Sequence, residues 1–393
     1  MNTFKRPQYV KLAKRLKESR KFIQILVGPR QVGKTTMSQQ ILEEFGEAAH
    51  FASADFASTR SNAWIEQEWY TAKIQNKKLL IMDEVQKIPD WSNTVKALWD
   101  KDTIEKSKLQ VLLLGSSSLL MQKGLSESLA GRFEKTHLPH WSYGEMHEAF
   151  NLNLEEYIYF GAYPGAISLI SDESRWRNYI IDSLIESTVS RDILQMTDIR
   201  KPALLKRLLE LGAHYSGQIF SYQKMLGSLQ DVGNVTTLSH YLKLLENAGL
   251  IMGIQKISHS YHKKRASSPK FQVLNTAIMT AQSGLSYKEW KNDGSRWGRL
   301  IESAVGADLV NKAYGTQIGV YYWRERNDEV DFVLEKNEKL VALEVKSGLN
   351  ESIKGGMNTF VKEFRPHKIY LIGGQGMKLK DFFNMDIERF FLE

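Results

Sequence analysis

Short apolar runs separated by helix-like stretches dominate the first third of the chain. The runs cover residues 22–27, 49–53, 79–82 and 111–114. Such alternation is typical of an α/β domain built on a parallel sheet. We therefore expect a parallel-sheet core over residues 1–140.

The pattern changes at three further points along the chain. Apolar residues at three- and four-residue spacings predict a helical region over residues 141–201. Residues 202–284 predict short helices followed by a strand pair. Residues 285–393 return to an α/β pattern, with strands predicted at 319–323, 330–334, 340–345 and 368–372. The predicted fold class is therefore an α/β multidomain protein with four domains.

A glycine-rich segment follows the first apolar run and precedes a helix-compatible stretch. It reads Gly28-Pro29-Arg30-Gln31-Val32-Gly33-Lys34-Thr35-Thr36, which fits the spacing G-x-x-x-x-G-K-[ST]. Its backbone N–H groups and the helix N-terminus would surround phosphates. Lys34 would reach the β- and γ-phosphates, and Thr35 would ligate Mg²⁺. The segment therefore predicts ATP and Mg²⁺ as cofactors. The alternative is a glycine-containing loop that matches the motif by chance and binds no nucleotide.

Two carboxylates end the third apolar run. Asp83 and Glu84 follow residues 79–82, and the carboxyl ends of parallel strands line the ligand crevice. Asp83 would complete the Mg²⁺ shell, and Glu84 would polarise the attacking water, which favours hydrolysis over simple binding. Ser117, after the next run, is a candidate γ-phosphate sensor. A turn or cap serine is the alternative.

Several motifs together resemble a known family. They are GPRQVGKTT (28–36), DEVQKIPDW (83–91), LGSSSLLM (114–121), AGRFEKTHLPHWSYGE (130–145), YFGAYPG (159–165), SRDI (190–193) and EVKSG (344–348). The chain resembles the prokaryotic AAA-type ATPases related to the archaeal ATPases, over most of its length. The resemblance implies a P-loop AAA-type core, a winged helix and a restriction-endonuclease-like domain, and the helical region 141–201 would be a lid. Leu274-Asn275-Thr276-Ala277 departs from it, since the family usually has an aspartate, a small residue, glycine and leucine there.

ATPases need a cation at the γ-phosphate as charge develops, often an arginine from a neighbouring subunit. The resemblance makes Arg132 the first candidate, and Arg191 is the second. An ion pair with a local carboxylate is the alternative for either residue. Because an arginine acting in trans requires a neighbouring subunit, we expect a homo-oligomer.

Excess positive charge lies in one middle segment of this chain of net charge +8. Residues 201–290 contain 11 lysines and arginines against 4 acidic residues. Clustered positive charge favours a polyanion partner, usually nucleic acid, although a solvated basic face gives the same count.

The same segment predicts a winged helix-turn-helix. Residues 236–249 form an amphipathic pattern with Leu238, Leu242 and Leu245 on its apolar side, and a basic hairpin connection follows. The predicted DNA contacts are Thr236, His240 and Lys243 in the groove, and Lys263, Lys264, Arg265 and Lys270 on phosphates. Protein docking or oligomerisation is the alternative use of such a module.

The C-terminal region contains two acids and a lysine at suggestive spacing. Asp331 is followed by Glu344 and Lys346, the D…E-x-K arrangement of PD-(D/E)xK restriction-type nucleases. Asp331 and Glu344 would hold Mg²⁺, Lys346 would stabilise developing charge, and Glu302 could complete the metal shell. Chance alternation on a half-exposed strand, or DNA binding without cleavage, gives the same pattern.

The amino-acid composition limits the classes of protein to which this chain can belong. Hydrophobic residues make up 42% and charged residues 25%, which indicates a globular chain. No apolar run reaches the roughly 18 residues of a membrane span, no secretory signal is visible, and the absence of cysteine excludes disulfides and zinc–thiolate sites. We expect a cytoplasmic, DNA-binding AAA-type ATPase. The alternative is a regulatory or remodelling ATPase whose C-terminal half docks protein partners.

Overall fold

The computed structural model describes residues 4–115, 121, 128–194, 199–229, 234–258, 267–348 and 355–392. They divide into two compact units, Met1–Leu138 and Pro139–Glu393. Ser117, Lys263, Lys264 and Arg265 lie outside the described residues.

A five-stranded parallel sheet forms the centre of the first unit. Its strands are β1 (Ile23–Val27), β2 (Ala49–Ser53), β3 (Leu79–Asp83), β4 (Gln110–Leu114) and β5 (Phe133–His137). The order is β2-β3-β4-β1-β5, and neighbouring strands pair in parallel. The parallel sheet predicted from the four apolar runs is confirmed by β1 to β4.

Four α-helices and two 3₁₀ turns accompany this sheet within the described residues. They are α1 (Pro7–Lys17), α2 (Lys34–Phe45), α3 (Asn62–Ile74), α4 (Trp91–Ile104) and the turns Gly46–Ala48 and Val85–Lys87. Strands β1, β3 and β4 are buried at all five positions. Full burial explains why these strands read as continuous apolar runs.

The edge strand β5 has no counterpart among the predicted strands. Its sequence Phe-Glu-Lys-Thr-His is mostly polar, and Thr136 is its only fully buried residue. An edge strand pairs on one side only, so it needs no apolar run. The hydrophobic pattern therefore could not reveal it.

The second unit begins with helices. These are α5 (Tyr143–Phe150), α6 (Leu154–Phe160), a 3₁₀ turn (Pro164–Leu169), α7 (Glu173–Asn178), two π-helical stretches (Tyr179–Glu186 and Thr188–Leu194), α8 (Pro202–His214), α9 (Tyr222–Leu229) and α10 (Val235–Asn247). The described part of residues 141–201 is thus helical, as its pattern predicts. None of the helices in the described ranges combines the length and apolar character needed to cross a membrane.

A six-stranded mixed sheet completes the second unit. Its strands are β6 (Ile251–Lys256), β7 (Lys270–Val273), β8 (Gly319–Glu325), β9 (Asp328–Lys336), β10 (Lys339–Lys346) and β11 (Lys368–Gly373), in the order β11-β10-β9-β8-β6-β7. The accompanying helices are α11 (Thr276–Gln282), α12 (Tyr287–Asn292), α13 (Gly294–Ala313), α14 (Gly355–Phe364), α15 (Leu379–Asn384) and a final 3₁₀ turn (Ile387–Phe391). All four C-terminal strands predicted from the sequence are present.

This sheet crosses the boundary predicted between residues 284 and 285. Gln255 and Lys256 of β6 pair in parallel with Tyr321 and Tyr322 of β8. This pairing provides hydrogen-bond partners for backbone N–H and C=O groups that would be unpaired at the edge of an isolated two-stranded sheet. Residues 139–393 therefore form one unit in the structure, whereas the sequence pattern predicts three domains over this part of the chain.

Candidate nucleotide site and C-terminal carboxylate cluster

The loop between β1 and α2 requires glycine at two positions for different reasons. A Cβ on Gly28 would lie 2.2 Å from the carbonyl oxygen of Leu138, so no side chain fits there. Gly33 precedes α2 with a φ of 92°, in the left-handed region that glycine adopts without strain. The spacing read from the sequence thus has a steric basis in this strand–loop–helix.

The side chain of Lys34 folds back across this loop. Its Nζ donates to the carbonyl oxygens of Gly28 at 2.9 Å and Pro29 at 2.6 Å, and the residue is buried. Thr35 and Thr36 are exposed in the first turn of α2. An ammonium group and the positive end of a 12-residue helix are therefore held at one loop, which favours an anionic ligand.

Asp83 ends β3 and is nearly buried. Its Oδ1 accepts a hydrogen bond from the backbone N–H of Glu84 at 3.0 Å. Burial raises the pKa of Asp83 to about 6, the neighbouring Glu84 carboxylate adds to this, and the Lys34 ammonium opposes it. The charges of Lys34 and Asp83 thus act on each other. A hydroxyl at Thr35 and a carboxylate at Asp83 are hard oxygen donors, which fit Mg²⁺.

Glu84 adopts a left-handed backbone conformation, with φ 55° and ψ 29°. Its Oε2 accepts from Gln86 Nε2 at 2.7 Å and lies 3.3 Å from Lys87 Nζ. Such a conformation is costly for a residue with a Cβ and is often found at functional sites. Gln86 and Lys87 were not predicted as site residues, although both lie within the motif that starts at Asp83.

The structure places Arg132 in an ion pair within its own unit. Its Nε lies 2.8 Å from Asp100 Oδ1, and its Nη2 lies 3.0 Å from Asp100 Oδ2. This two-pronged contact holds the pKa of the Asp100 carboxyl below its usual value. Arg191 is exposed in the second π-helical stretch. The arginine-finger role of either residue stays a prediction.

In the second unit, the D…E-x-K residues lie on neighbouring strands. Lys346 Nζ lies 2.6 Å from Glu344 Oε1, and both side chains are buried near the end of β10. Asp331 on β9 accepts from the backbone N–H of Val345 at 2.8 Å through Oδ2. The three residues of the motif therefore lie on adjacent strands, but Glu344 is paired with Lys346 of the same motif.

Lys270 corrects one prediction. A DNA phosphate contact, which the sequence predicts for this residue, needs an exposed side chain. The Lys270 side chain is 0% exposed on β7, a strand buried at every position. Its Nζ lies 2.6 Å from Glu302 Oε1, 3.7 Å from Glu329 Oε1 and 3.9 Å from Asp331 Oδ1. A buried ammonium surrounded by carboxylates is not available to a phosphate on the surface.

These carboxylates do not have the arrangement of a metal shell. Within the part of the chain that the structure describes, no three or more His, Cys, Asp or Glu side chains are placed to hold a metal ion. Burial raises the pKa of Glu302, and the Lys270 ammonium opposes that rise. Asp331, Glu344 and Glu302 therefore do not fit a bound Mg²⁺ in this arrangement.

Helix α10 presents the polar face that its sequence predicts. Thr236, His240 and Lys243 are exposed, while its buried residues include Leu238, Leu242 and Leu245. Asn234 caps the helix by accepting from the Thr237 N–H at 2.7 Å. A DNA-contacting role for the exposed face stays a prediction.

Asn275, in the segment that departs from the family pattern, is a buried connector. Its Oδ1 accepts from the N–H groups of Ala162 at 3.0 Å and Ala277 at 3.2 Å. Its Nδ2 lies 3.3 Å from His140 Nδ1, and His140 Nε2 lies 2.9 Å from the carbonyl oxygen of Gly249. One amide thus joins the turn after α6, the start of α11 and, through His140, the turn before β6.

Three protein families match successive parts of this chain. Residues 20–147 match the family described as AAA domain. Residues 151–289 and 297–383 match two families described as domains of unknown function, DUF8612 and DUF4143. The chain therefore has an AAA-type P-loop core, followed by a second region with a mixed sheet.

Similar proteins occur in bacteria and archaea. An uncharacterized protein of Mycobacterium tuberculosis is 26% identical, over 88% of this chain and 75% of its own length. One from Methanocaldococcus jannaschii is 25% identical, over 84% and 76%. Among solved structures, the RuvB Holliday junction branch migration motor of Thermotoga maritima matches with 16% identity and a TM-score of 0.34, covering 63% of this chain and 86% of that chain.

Proposed function

We propose that this protein is a DNA-binding ATPase, which hydrolyses ATP with Mg²⁺ at the P-loop and couples hydrolysis to DNA held by the second unit. One observation carries the ATPase proposal. The Lys34 ammonium, held at the loop after β1, acts electrostatically on Asp83 at the end of β3, with Glu84 immediately beside it. This is the combination that phosphate binding, metal binding and water activation need.

The loop and the start of α2 would bind the phosphates. Lys34 would exchange the carbonyl oxygens of Gly28 and Pro29 for phosphate oxygens, which are charged and therefore stronger acceptors. Thr35 and Asp83 would hold Mg²⁺, which supplies charge neutralisation on the phosphate oxygens. Glu84 would orient the attacking water and take up its proton, while Gln86 fixes the position of that carboxylate.

ATP turnover by the full chain tests the first half of this proposal. Glu84→Gln should reduce turnover at least about 100-fold while ATP still binds, because the amide cannot accept the proton. Lys34→Ala should weaken binding itself, measured with a fluorescent ATP analogue. Full activity of the Glu84→Gln variant would contradict the assignment of the base.

The charge distribution and α10 support DNA as the partner. Residues 201–290 hold 11 basic against 4 acidic residues, and the exposed face of α10 carries Thr236, His240 and Lys243. Helices α8, α9 and α10 followed by the antiparallel pair β6 and β7 have the element order of a winged helix-turn-helix. Lys263, Lys264 and Arg265 would then be phosphate contacts of the wing.

Fluorescent duplex and branched DNA can test this partner. Changing Lys263, Lys264 and Arg265 to Ala should weaken binding and reduce its salt dependence, because each phosphate contact releases counterions. The control changes Lys11, Lys14 and Lys21 to Ala, which removes the same charge from exposed positions of the first unit. Equal affinity and equal salt slope in both triple variants would contradict a DNA-binding wing.

The dependence of ATP turnover on DNA separates the two candidate functions. A DNA-coupled ATPase should turn over faster when single-stranded, duplex or branched DNA is added. A regulatory or remodelling ATPase, whose C-terminal half docks protein, should show the same rate with and without DNA.

A further inference from the structure

The charged side chain of Arg6 is buried in the first unit, against the loop between β1 and α2. Arg6 is 3% exposed, and its Nη1 donates to the carbonyl oxygen of Val32 at 3.1 Å. Val32 is itself fully buried and directly precedes Gly33 in this loop. Arginine is almost never buried without partners, because its guanidinium group does not lose its charge. A cation from 26 residues earlier in the chain therefore holds a backbone group of the P-loop.

The position of Arg6 is fixed on both sides along the chain. Before it, the carbonyl oxygen of Phe4 accepts a hydrogen bond from Nε2 of Gln40 at 3.0 Å, and Gln40 is buried on α2. After it, α1 begins at Pro7, and the N–H of Tyr9 donates to the carbonyl oxygen of Arg6 at 2.9 Å. The segment that carries Arg6 is thus attached to α2, the helix into which the P-loop leads.

The hydrogen bond from Arg6 also determines the direction of an N–H group. The peptide bond between Val32 and Gly33 is trans, so the carbonyl group of Val32 and the N–H group of Gly33 point in opposite directions within one rigid plane. Because Arg6 holds the carbonyl oxygen on one side, the N–H group of Gly33 is directed to the other side. This N–H group lies immediately before α2, where backbone N–H groups and the helix dipole favour an anion.

We propose that Arg6 is a positioning residue of the nucleotide site, which holds the carbonyl group of Val32 and thereby directs the N–H group of Gly33 at the phosphates of ATP. Arg6 acts through the loop and does not touch the nucleotide. Its charge also polarises the peptide unit, which makes the N–H group a stronger donor. The proposal rests on the proposed function only as far as ATP binding at the P-loop, and it does not depend on hydrolysis or on DNA.

ATP binding and turnover of the full chain test this role. Arg6→Met removes the donor and keeps a long, unbranched side chain, so the N–H group of Gly33 loses its fixed direction. We expect the Kd and the KM of ATP to rise at least about tenfold, because a hydrogen bond to a charged phosphate is lost in both. We expect kcat at saturating ATP to change less than about threefold, because Lys34 and Glu84 are retained.

Arg20→Met is the matched control. Arg20 belongs to the same unit and also donates to backbone carbonyl oxygens, those of Leu109 at 3.2 Å and Trp99 at 3.0 Å, which are not part of the P-loop. Both variants should lower the free energy of unfolding, because in each case backbone carbonyl groups lose a charged donor. Only Arg6→Met should weaken ATP binding. Equal ATP affinity of the two folded variants, whether both are weak or both are normal, overturns the proposal.

The two readouts separate this role from the proposed function. If the parent binds ATP without hydrolysing it, the proposed hydrolysis is wrong, and the Kd values still decide the role of Arg6. If the parent hydrolyses ATP and Arg6→Met has the Kd and KM of the parent, the role of Arg6 is wrong and the proposed function stands. A change confined to kcat in Arg6→Met also overturns the proposal, and a parent that binds no ATP contradicts both.

A second pair of variants covers the case in which Arg6→Met does not fold. Arg6→Lys keeps the positive charge but lacks the planar fork of donors that reaches the Val32 carbonyl group. We expect its KM for ATP to rise about threefold, since a more mobile donor holds the loop less firmly. Arg20→Lys is the control and should keep the KM of the parent. The same KM in both lysine variants would contradict the role given to Arg6.

Discussion

Buried charged and polar side chains define the chemistry of this protein at the residue scale. Asp83, Lys34, Lys270 and Asp308 are each less than one tenth exposed. Burial disfavours the charged form of such groups: it raises the pKa of Asp83 and Asp308, and by itself it would lower the pKa of Lys270. What each residue does therefore depends on the partners that the fold provides.

Asp308 illustrates this dependence and gives a prediction for stability. Burial raises its pKa to about 6, although Lys312 opposes the rise. Its unfolded pKa is about 3.9, so the folded chain binds more protons between pH 4 and 6. The contribution of Asp308 to the free energy of unfolding should therefore become more favourable as the pH falls through this window.

Asp308→Asn should remove that linkage. At pH 7 the neutral amide avoids the cost of a buried carboxylate, so the free energy of unfolding should rise by about 1–3 kcal/mol. The gain should shrink between pH 6 and 4 and vanish below pH 4, as measured by urea unfolding. A gain that is independent of pH would show that the carboxylate charge is not the cause.

Asn275 gives a second prediction at this scale. Its oxygen is an acceptor for two buried backbone N–H groups, and its nitrogen contacts His140. Asn275→Ala should lower the free energy of unfolding by about 2 kcal/mol, because both N–H groups lose their acceptor. Urea unfolding measures the loss.

Asn275→Asp is the matched control for this position. The carboxylate can still accept from both N–H groups, so Asn275→Asp should be more stable than Asn275→Ala in urea unfolding. Equal instability of both variants at every pH would contradict the role given to the oxygen.

At the scale of elements, the strand–loop–helix from β1 to α2 is the best-defined functional piece. Gly28 passes against the carbonyl group of Leu138, directly after β5. The loop is thus supported by the edge strand that the hydrophobic pattern did not reveal. Its conformation depends on that support as well as on its own glycines.

Gly28→Ala should therefore distort the phosphate loop. The added Cβ would meet a backbone oxygen at 2.2 Å, so either the loop or the segment at Leu138 must move. We expect ATP affinity to fall by at least about tenfold, because phosphate binding depends on the direction in which the backbone N–H groups of the loop point. Gly294→Ala, where nothing lies within 4 Å, is the control and should bind ATP normally. Unchanged affinity in Gly28→Ala would contradict the steric argument.

At the scale of the whole molecule, the predicted arginine finger would come from a neighbouring copy of the chain in an oligomer. Arg132 is the first candidate, and its contact with Asp100 within one chain shows that it can also serve stability. A catalytic role for Arg132 and a stabilising role for its ion pair predict different results for the Arg132 and Asp100 variants. Arg132→Ala should lower kcat about 10³-fold with little change in KM, whereas Asp100→Ala should leave kcat nearly unchanged.

Mixing inactive variants tests whether the arginine acts in trans. Arg132→Ala retains Glu84, and Glu84→Gln retains Arg132, so a mixed oligomer contains some complete sites. We expect the mixture to regain turnover that neither variant shows alone. No recovery in mixtures that demonstrably co-assemble would place the arginine in cis or assign the role elsewhere, with Arg191 as the next candidate.

The positions of the candidate nucleotide-site residues could be predicted because the determinants of their placement are local in sequence. Gly28, Gly33, Lys34 and Thr35 lie within one short segment, and Asp83 and Glu84 directly follow a fully apolar strand. Strand ends of a parallel sheet meet at one edge, so spacing and hydrophobic pattern were sufficient. The same reasoning recovered the exposed face of α10.

The carboxylate cluster was decided only by tertiary structure. Lys270, Glu302 and Asp331 are far apart in sequence and come from three different elements, and a basic residue near a predicted wing gives no sign that it will be buried. The pairing of β6 with β8 extends the C-terminal sheet to β7, and packing then turns Lys270 inward towards the acids. Sequence pattern determines which residue types are available, whereas long-range strand pairing determines which charges meet and which of them lose contact with water.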